Sequence, residues 1–243
     1  MSINFSLVLP CYNEEENISL LYKEFSQINL DQFQSELIFV NNGSADNTKN
    51  EIERIIRENK KVNINIVTIN LEENQGYGGG IAEGLKISKG EFIGWAHADL
   101  QTPLEDFFKL FKLVKDKKEI FGKGFRTNNR GLDGIVSRFH ESLASLILGY
   151  KMVEINAQPK IFSKDLMKYF SDIPYKWTVL DTYVNYICLK NKIKIETINV
   201  IFKKRIHGKS KWKNNLLIFL KHIVFNVLYL FKLRFKFMND SRK

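Results

Sequence analysis

The 243-residue sequence predicts an α/β fold built on a mainly parallel central sheet with helices on both faces. Apolar strands and helical segments alternate four times within the first 100 residues, the pattern of parallel strands joined by crossovers. Apolar residues make up 44% of the chain and include 19 Phe, enough for one large core. The polar turns after the first four strands all fall at carboxyl ends, the rim on which such sheets bind ligands.

The first strand is "FSLVLP", Phe5 to Pro10. The segment "NEEENISLLYKEFSQI" after it has helical spacing, with Glu14, Glu15 and Glu16 in a first turn where acids oppose the helix dipole. "ELIFVNNGSADNT" is a second strand closing in a polar turn, and "KNEIERIIRENK" is a charged amphipathic helix. "VNINIVTIN" is the third strand, "QGYGGGIAEGLKISKG" a glycine turn opening a helix, and "EFIGWAHAD" the fourth strand. Then come a helix, "LEDFFKLFKLVKD", a strand, "EIFGKGFR", ending at Arg126, and an apolar helix from about Ile135 to Leu148. The helix "WTVLDTYVNYICLKNK" and the strand "KIETINVIF" follow. The loop "KKRIHGKSKWKN" leads into a long apolar segment with scattered lysines. The reading is one α/β domain over residues 1–212 and a basic amphipathic helical tail over 213–243.

Charge is segregated along the chain. Residues 201–243 hold 12 Lys/Arg and a single acid, Asp240, whereas residues 1–200 hold 25 basic and 26 acidic residues. The net charge of +10 therefore belongs to residues 201–243, which argues against a nucleic-acid footprint spread over a folded face. Cys11 and Cys188 stand far apart with no metal or disulfide spacing, so a reducing cytoplasmic setting is expected. The run "LVLP" is too short for a signal peptide, and "IVFNVLYLF", Ile223 to Phe231, falls well below the roughly 20 residues needed to span a bilayer.

Four segments carry chemistry-bearing residues. Gly76, Gly78, Gly79 and Gly80 could cradle phosphates through backbone N–H groups or form only a structural turn, and they fit neither common phosphate-loop template. Asn42 to Thr48 combines turn formers with helix caps. In "HADLQ", Asp99 and Gln101 put two oxygen ligands on one face of an extended turn, a set suited to Mg²⁺ or Mn²⁺ with positions left for phosphates; a helix-capping cluster before Pro103 is the plainer alternative. "RIHGKSK", with Arg205, Lys209 and Ser210, suits phosphate oxygens, and Arg126, Arg130 and Arg138 form a second cationic group.

Taken in order, "LVLPCYNEEENI", "IFVNNGSADNT", "NQGYGGGIAEGLKISKGEFIGWAHADLQTP", "GKGFR" and "RIHGKSK" resemble family 2 glycosyltransferases with a GT-A fold. They are similar to the dolichol- or polyprenyl-phosphate sugar transferase branch. The resemblance implies an inverting transferase with a nucleotide-diphosphate sugar on the rim and a divalent cation bridging its phosphates. It places Pro10, Tyr12, Asn13, Glu15 and Asn42 at the nucleotide-sugar pocket, with Gly76, Gly80, His97 and Ala98 beside them. Asp99 and Gln101 would hold Mg²⁺ or Mn²⁺. Arg126, Arg138, Arg205, Lys209 and Ser210 would meet donor or acceptor phosphates, with Arg126, Arg205 and Lys209 stabilising the leaving diphosphate.

The sequence departs from that pattern in three places. Asn41 and Asn42 stand where the family has paired acids, His97 replaces the first acid of D-x-D, and Gln158 and Pro159 replace a Gly-Phe-Arg-like run. An ionised phosphate acceptor needs no general base, whereas a sugar hydroxyl does, and Asp181 is the candidate by analogous position. The expected acceptor is lipid-linked, a polyprenyl phosphate or a polyprenyl-linked glycan in surface-glycan synthesis. The rivals are the non-reducing sugar end of a growing glycan, or nucleotide-sugar binding without catalysis. At about 100° per residue Asn214, Asn215, Lys221, His222, Asn226, Lys232 and Lys236 share a sector, with Ile218, Phe225, Tyr229 and Leu233 intruding. The tail is accordingly expected to lie on an anionic membrane at its cytoplasmic face, or else to pack on the domain or on a second copy in a homo-oligomer.

Overall fold

Alternation along the first strand builds the two halves of the core. In β1 (Phe5–Cys11), Phe5, Leu7 and Leu9 enter one hydrophobic cluster and Val8 the other, as a strand buried on both faces requires. The structure, a computed structural model, describes residues 2–30, 32–128, 131–170, 173–174, 179–205 and 216–240. β1 pairs in parallel with β2 (Ser35–Asn42) and β4 (Phe92–Trp95), and β2 with β3 (Ile64–Leu71). β5 (Ile120–Arg126) pairs in parallel with β7 (Lys194–Val200), and β6 (Lys160–Ser163) runs antiparallel between β4 and β5. The strand order is β3-β2-β1-β4-β6-β5-β7, so the mainly parallel sheet is as expected.

Helices α1 (Glu15–Gln27), α2 (Thr48–Glu58) and α4 (Leu104–Val114) cover one face. There Phe5 meets Phe107 and Phe111 with centroids 5.7 and 4.7 Å apart. Helices α3 (Gly76–Ile87), α5 (Leu132–Leu148), α6 (Val179–Lys190) and α7 (Leu216–Asp240) supply the other cluster. A 3-10 helix spans Lys164–Tyr169.

Four local differences from the sequence reading have physical causes. β6, unassigned in the sequence, is only four residues long and begins with a buried lysine, so neither length nor alternation marks it. β4 stops at Trp95, which leaves His97 to Gln101 in the turn beyond it. The glycines belong to α3 itself: a Cβ on Gly84 would lie 2.3 Å from Val8 Cγ1, and one on Gly80 3.1 Å from Pro10 Cβ. Their lack of side chains lets α3 lie close on β1 and β2. Finally, α7 is docked, with Leu230 and Leu233 buried and the Arg234 guanidinium donating to the Leu148 carbonyl at 3.1 Å. Asn226, grouped with the exposed lysines by the sequence, is buried and satisfies its amide on the His222 carbonyl at 2.8 Å. Among the described residues no helix is long and apolar enough to cross a membrane.

Candidate functional site

The chain runs from β1 outward to β2 and β3, then returns to β4 on the other side of β1. That reversal opens a crevice beyond the carboxyl ends of β1 and β4. The turns after β1 and β2 are laced together along it. Asn13, at φ 56°, donates its backbone N–H to Ser44 Oγ (3.0 Å) and accepts from the Ala45 N–H (2.9 Å). Glu15 receives the Asn47 N–H at 2.7 Å while its own N–H donates to Asp46 Oδ2 at 3.2 Å. Asn42 is buried; its oxygen accepts from the Gln75 N–H and its amide donates to the Gly76 carbonyl, each at 2.9 Å. Asn13, Glu15 and Asn42 thus hold the rim's shape. Pro10 is the penultimate residue of β1, and Tyr12 follows its end.

Two oxygens of the next turn converge on one positive charge. Asp99 Oδ2 lies 3.0 Å from Arg205 Nη2, and Gln101 Oε1 lies 3.3 Å from Arg205 Nε. The Gln101 backbone N–H donates to Asp99 Oδ1 at 3.2 Å, which holds the Asp99 carboxylate against the backbone of the turn. Backbone and side-chain bonds also tie Gln101 to Lys203, at 2.7 and 2.9 Å. The guanidinium thus sits between Asp99 and Gln101, whose side-chain oxygens are of the type a hard divalent ion takes. No cluster of three or more His, Cys, Asp or Glu forms a metal site among the described residues. With two protein ligands, most of an ion's coordination would be left to phosphate and water oxygens.

His97 turns away from ligation into packing. Its ring stacks on Tyr77 at 5.1 Å and meets Phe202 edge-on at 6.3 Å. Burial holds its pKa below the ordinary histidine range against the pull of Asp99 and Asp181, so the ring is neutral at pH 7. Ala98 beside it is buried. The Tyr77 hydroxyl lies 2.6 Å from the Gln158 amide. With the amide oxygen toward Tyr77, Gln158 also accepts from Lys160 Nζ and donates to the Trp95 carbonyl, each at 3.2 Å, so every polar atom is matched. Lys160, fully buried, pairs with Asp181 at 2.8 Å and donates to the Ala157 carbonyl at 2.7 Å. Burial pushes the lysine's pKa down and Asp181 opposes that shift.

Arg126 lies behind this layer. Its Nε donates to Glu154, and its buried Nη2, which has no hydrogen-bond partner, lies 3.8 Å from Glu141. Two carboxylates already flank the charge that the sequence assigns to phosphate. Lys123 donates to the Val153 carbonyl (2.6 Å) and Asn185 Oδ1 (2.7 Å), and burial brings its pKa down to about 8. Arg138 is exposed on α5. Arg130, Lys209 and Ser210 lie outside the described residues. Sequence reasoning missed Tyr77, Lys123, Glu141, Glu154 and Lys160. Tyr77 alone carried a signal, as the single aromatic inside the glycine run.

The chain is similar to known proteins in sequence and in fold. The family model described as glycosyl transferase family 2 matches residues 6–172. A dolichyl-phosphate beta-glucosyltransferase of Trichomonas vaginalis is 26% identical over 230 residues, covering 85% of this chain and 68% of that protein. A dolichol-phosphate mannosyltransferase of Saccharomyces cerevisiae is 30% identical over 118 residues, covering 48% of this chain and 43% of that protein. An uncharacterized glycosyltransferase of Synechocystis is covered over 65% of its length, so the chain spans about two thirds of its longer-matching relatives. Glucosyl-3-phosphoglycerate synthase from Mycobacterium tuberculosis, solved with UDP, superposes with a TM-score of 0.69 at 16% identity, covering 95% of this chain and 80% of that one. A mannosyltransferase from Pyrobaculum calidifontis, in complex with GDP-Man and Mn²⁺, gives a TM-score of 0.67 at 12% identity, covering 93% and 63%. The fold is that of the GT-A glycosyltransferases.

Proposed function

The chain belongs to glycosyl transferase family 2, whose members are sugar transferases, and we propose that it moves a sugar from a nucleotide-diphosphate donor onto a polyprenyl phosphate. One observation carries the donor half: Asp99 and Gln101 converge on a single positive charge at the crevice where such sheets bind ligands. The solved neighbours with UDP, or with GDP-Man and Mn²⁺, support a nucleotide sugar and a divalent cation there. Asp99 and Gln101 would hold Mg²⁺ or Mn²⁺, which when bound neutralises the charge developing on the leaving diphosphate. Arg205, held beside them by the Gln101–Lys203 bonds, is placed to take phosphate oxygens when a metal claims its partners. Lys209 and Ser210 follow it in sequence and are assigned the same role. The laced turns hold the pocket in which Pro10, Tyr12 and Gly76 to Gly80 would meet the nucleotide, and stacked His97 and Tyr77 wall its floor.

For the acceptor, the state of Asp181 supports phosphate over a sugar hydroxyl. Asp181 is buried and its carboxylate is taken up by Lys160, whereas a hydroxyl acceptor needs a base within hydrogen-bond reach of it. The dolichyl-phosphate relatives support the same acceptor class. A lipid substrate also gives the C-terminal segment a place: residues 213–243, which include α7, would be the basic part that meets the membrane, and residues 1–212 the catalytic domain at its cytoplasmic side. Titration calorimetry of UDP- and GDP-sugars with and without Mn²⁺ tests the donor site. One nucleotide sugar is expected to bind more tightly with Mn²⁺, and Asp99→Ala is expected to lose that metal-dependent gain, on the order of tenfold or more. Equal gains in wild type and Asp99→Ala would remove Asp99 from the site.

A further inference from the structure

α5 carries an arrangement that helices facing water avoid. At about 100° per residue, Leu132, Ile135, Val136, Phe139 and Leu146 fall within one sector, opposite the buried Glu141, Ala144 and Leu148. All five are exposed, Leu132 at 79%, Phe139 at 68% and Leu146 at 80%. A helix packed on one face ordinarily turns charge outward on the other. The adjoining α7 repeats the pattern. Leu220, Val224, Leu228, Phe231 and Phe235 line its outward sector, opposite the buried Asn226, Leu230 and Leu233. Lys221, Lys232 and Lys236 are exposed on the sector beside that stripe. Single exposed apolar residues are ordinary, but two stripes on neighbouring helices mark a surface that is covered in use.

We propose that α5 and α7 together form one membrane-seating surface, with both apolar stripes in the interface of an anionic bilayer and the α7 lysines at its headgroups. This rests on the peripheral reading above and extends it from the tail to a helix of the catalytic domain. Charge selects the bilayer over a second copy of the chain: the described outward faces of α5 and α7 carry Arg138 and three lysines against one exposed acid, Asp133, so self-pairing leaves most of that positive charge without a counter-charge. The seat also reaches the site. On the opposite side of α5, Glu141 lies 3.8 Å from Arg126 and accepts the Ile155 N–H at 3.3 Å.

Flotation of the full chain on vesicles of phosphatidylcholine, with and without phosphatidylglycerol, tests this. The readouts are partition, thermal midpoint, nucleotide-sugar binding and sedimentation velocity. Wild type is expected to float with the anionic vesicles. The pair Ile135→Ser/Phe139→Ser on α5 and the pair Val224→Ser/Leu228→Ser on α7 are each expected to lower partition about tenfold or more. Donor binding and thermal midpoint should stay unchanged, and Phe139→Leu should float as wild type does. Wild-type flotation by the α5 pair, with loss confined to the α7 pair, overturns the two-helix surface and leaves the peripheral reading standing. A dimer that the α5 pair converts to monomer without altering flotation also overturns it, by assigning the stripe to a second copy. If the wild-type chain floats on neither vesicle while still binding nucleotide sugar, the peripheral reading falls and takes this surface with it.

Discussion

Lys160 has no solvent exposure, and its charge is tolerable because Asp181, the Ala157 carbonyl and Gln158 surround it. Removing one member of such a pair leaves the other uncompensated. Lys160→Met and Asp181→Asn are each expected to cost about 3–5 kcal/mol in denaturant unfolding, and the double substitution less than their sum. Because a phosphate acceptor needs no base, the double variant is also expected to keep transfer activity in a direct assay. Lys123 gives a pH signature. Its folded pKa of about 8 lies below the ordinary 10.5, so between those values the unfolded chain binds more protons and this group's contribution to stability rises with pH. Unfolding measured from pH 7 to 10.5 should show Lys123→Met losing ground to wild type as pH rises through that window, by up to roughly 3 kcal/mol. Asp99 and Gln101 were legible in the sequence because an acid just past an apolar strand falls on the rim. Lys160 and Lys123 were not, because their burial is set by partners on other elements, Asp181 and Asn185.

At the scale of elements, the strand–helix alternation of the first 100 residues could be read directly, since β1, β2 and β4 are apolar strands buried on both faces and α1 and α2 are amphipathic. β6 could not: four residues headed by a charged side chain carry no period. Gly76, Gly78, Gly79 and Gly80 were read as a phosphate turn or a structural one; they form the first turn and a half of α3, where Gly80 lies close to Pro10 and, one turn on, Gly84 lies close to Val8 and Val40. Gly84→Ala should therefore cost about 1–3 kcal/mol in thermal or denaturant unfolding, because the new methyl meets both Val8 and Val40 in a filled core. An α3 that accepts alanine there without loss would mean the helix can shift off the sheet. The docking of α7 was equally hidden, because Leu230 and Leu233 are distinguished from the outward Leu228 and Phe231 only by what packs on them.

Across the whole molecule, charge and apolar surface are divided so that a nearly neutral α/β domain carries the crevice while the C-terminal segment carries the basic residues. That division was plain from counting, and the order of five motifs pointed to the family before any fold was known. The contacts on which the proposed acceptor rests were not legible, because Asp181, Gln158 and Lys160 meet only in space. The most direct test of the proposed reaction is transfer itself. Radiolabelled nucleotide-diphosphate sugars are incubated with the full chain, polyprenyl phosphate in detergent and Mn²⁺, and the organic phase is counted. With the cognate donor, label should enter the organic phase as a sugar–phosphate lipid, and Asp99→Ala should abolish it. A chain that binds its nucleotide sugar with Mn²⁺ yet leaves the organic phase unlabelled for that donor would contradict the assignment of a polyprenyl-phosphate acceptor.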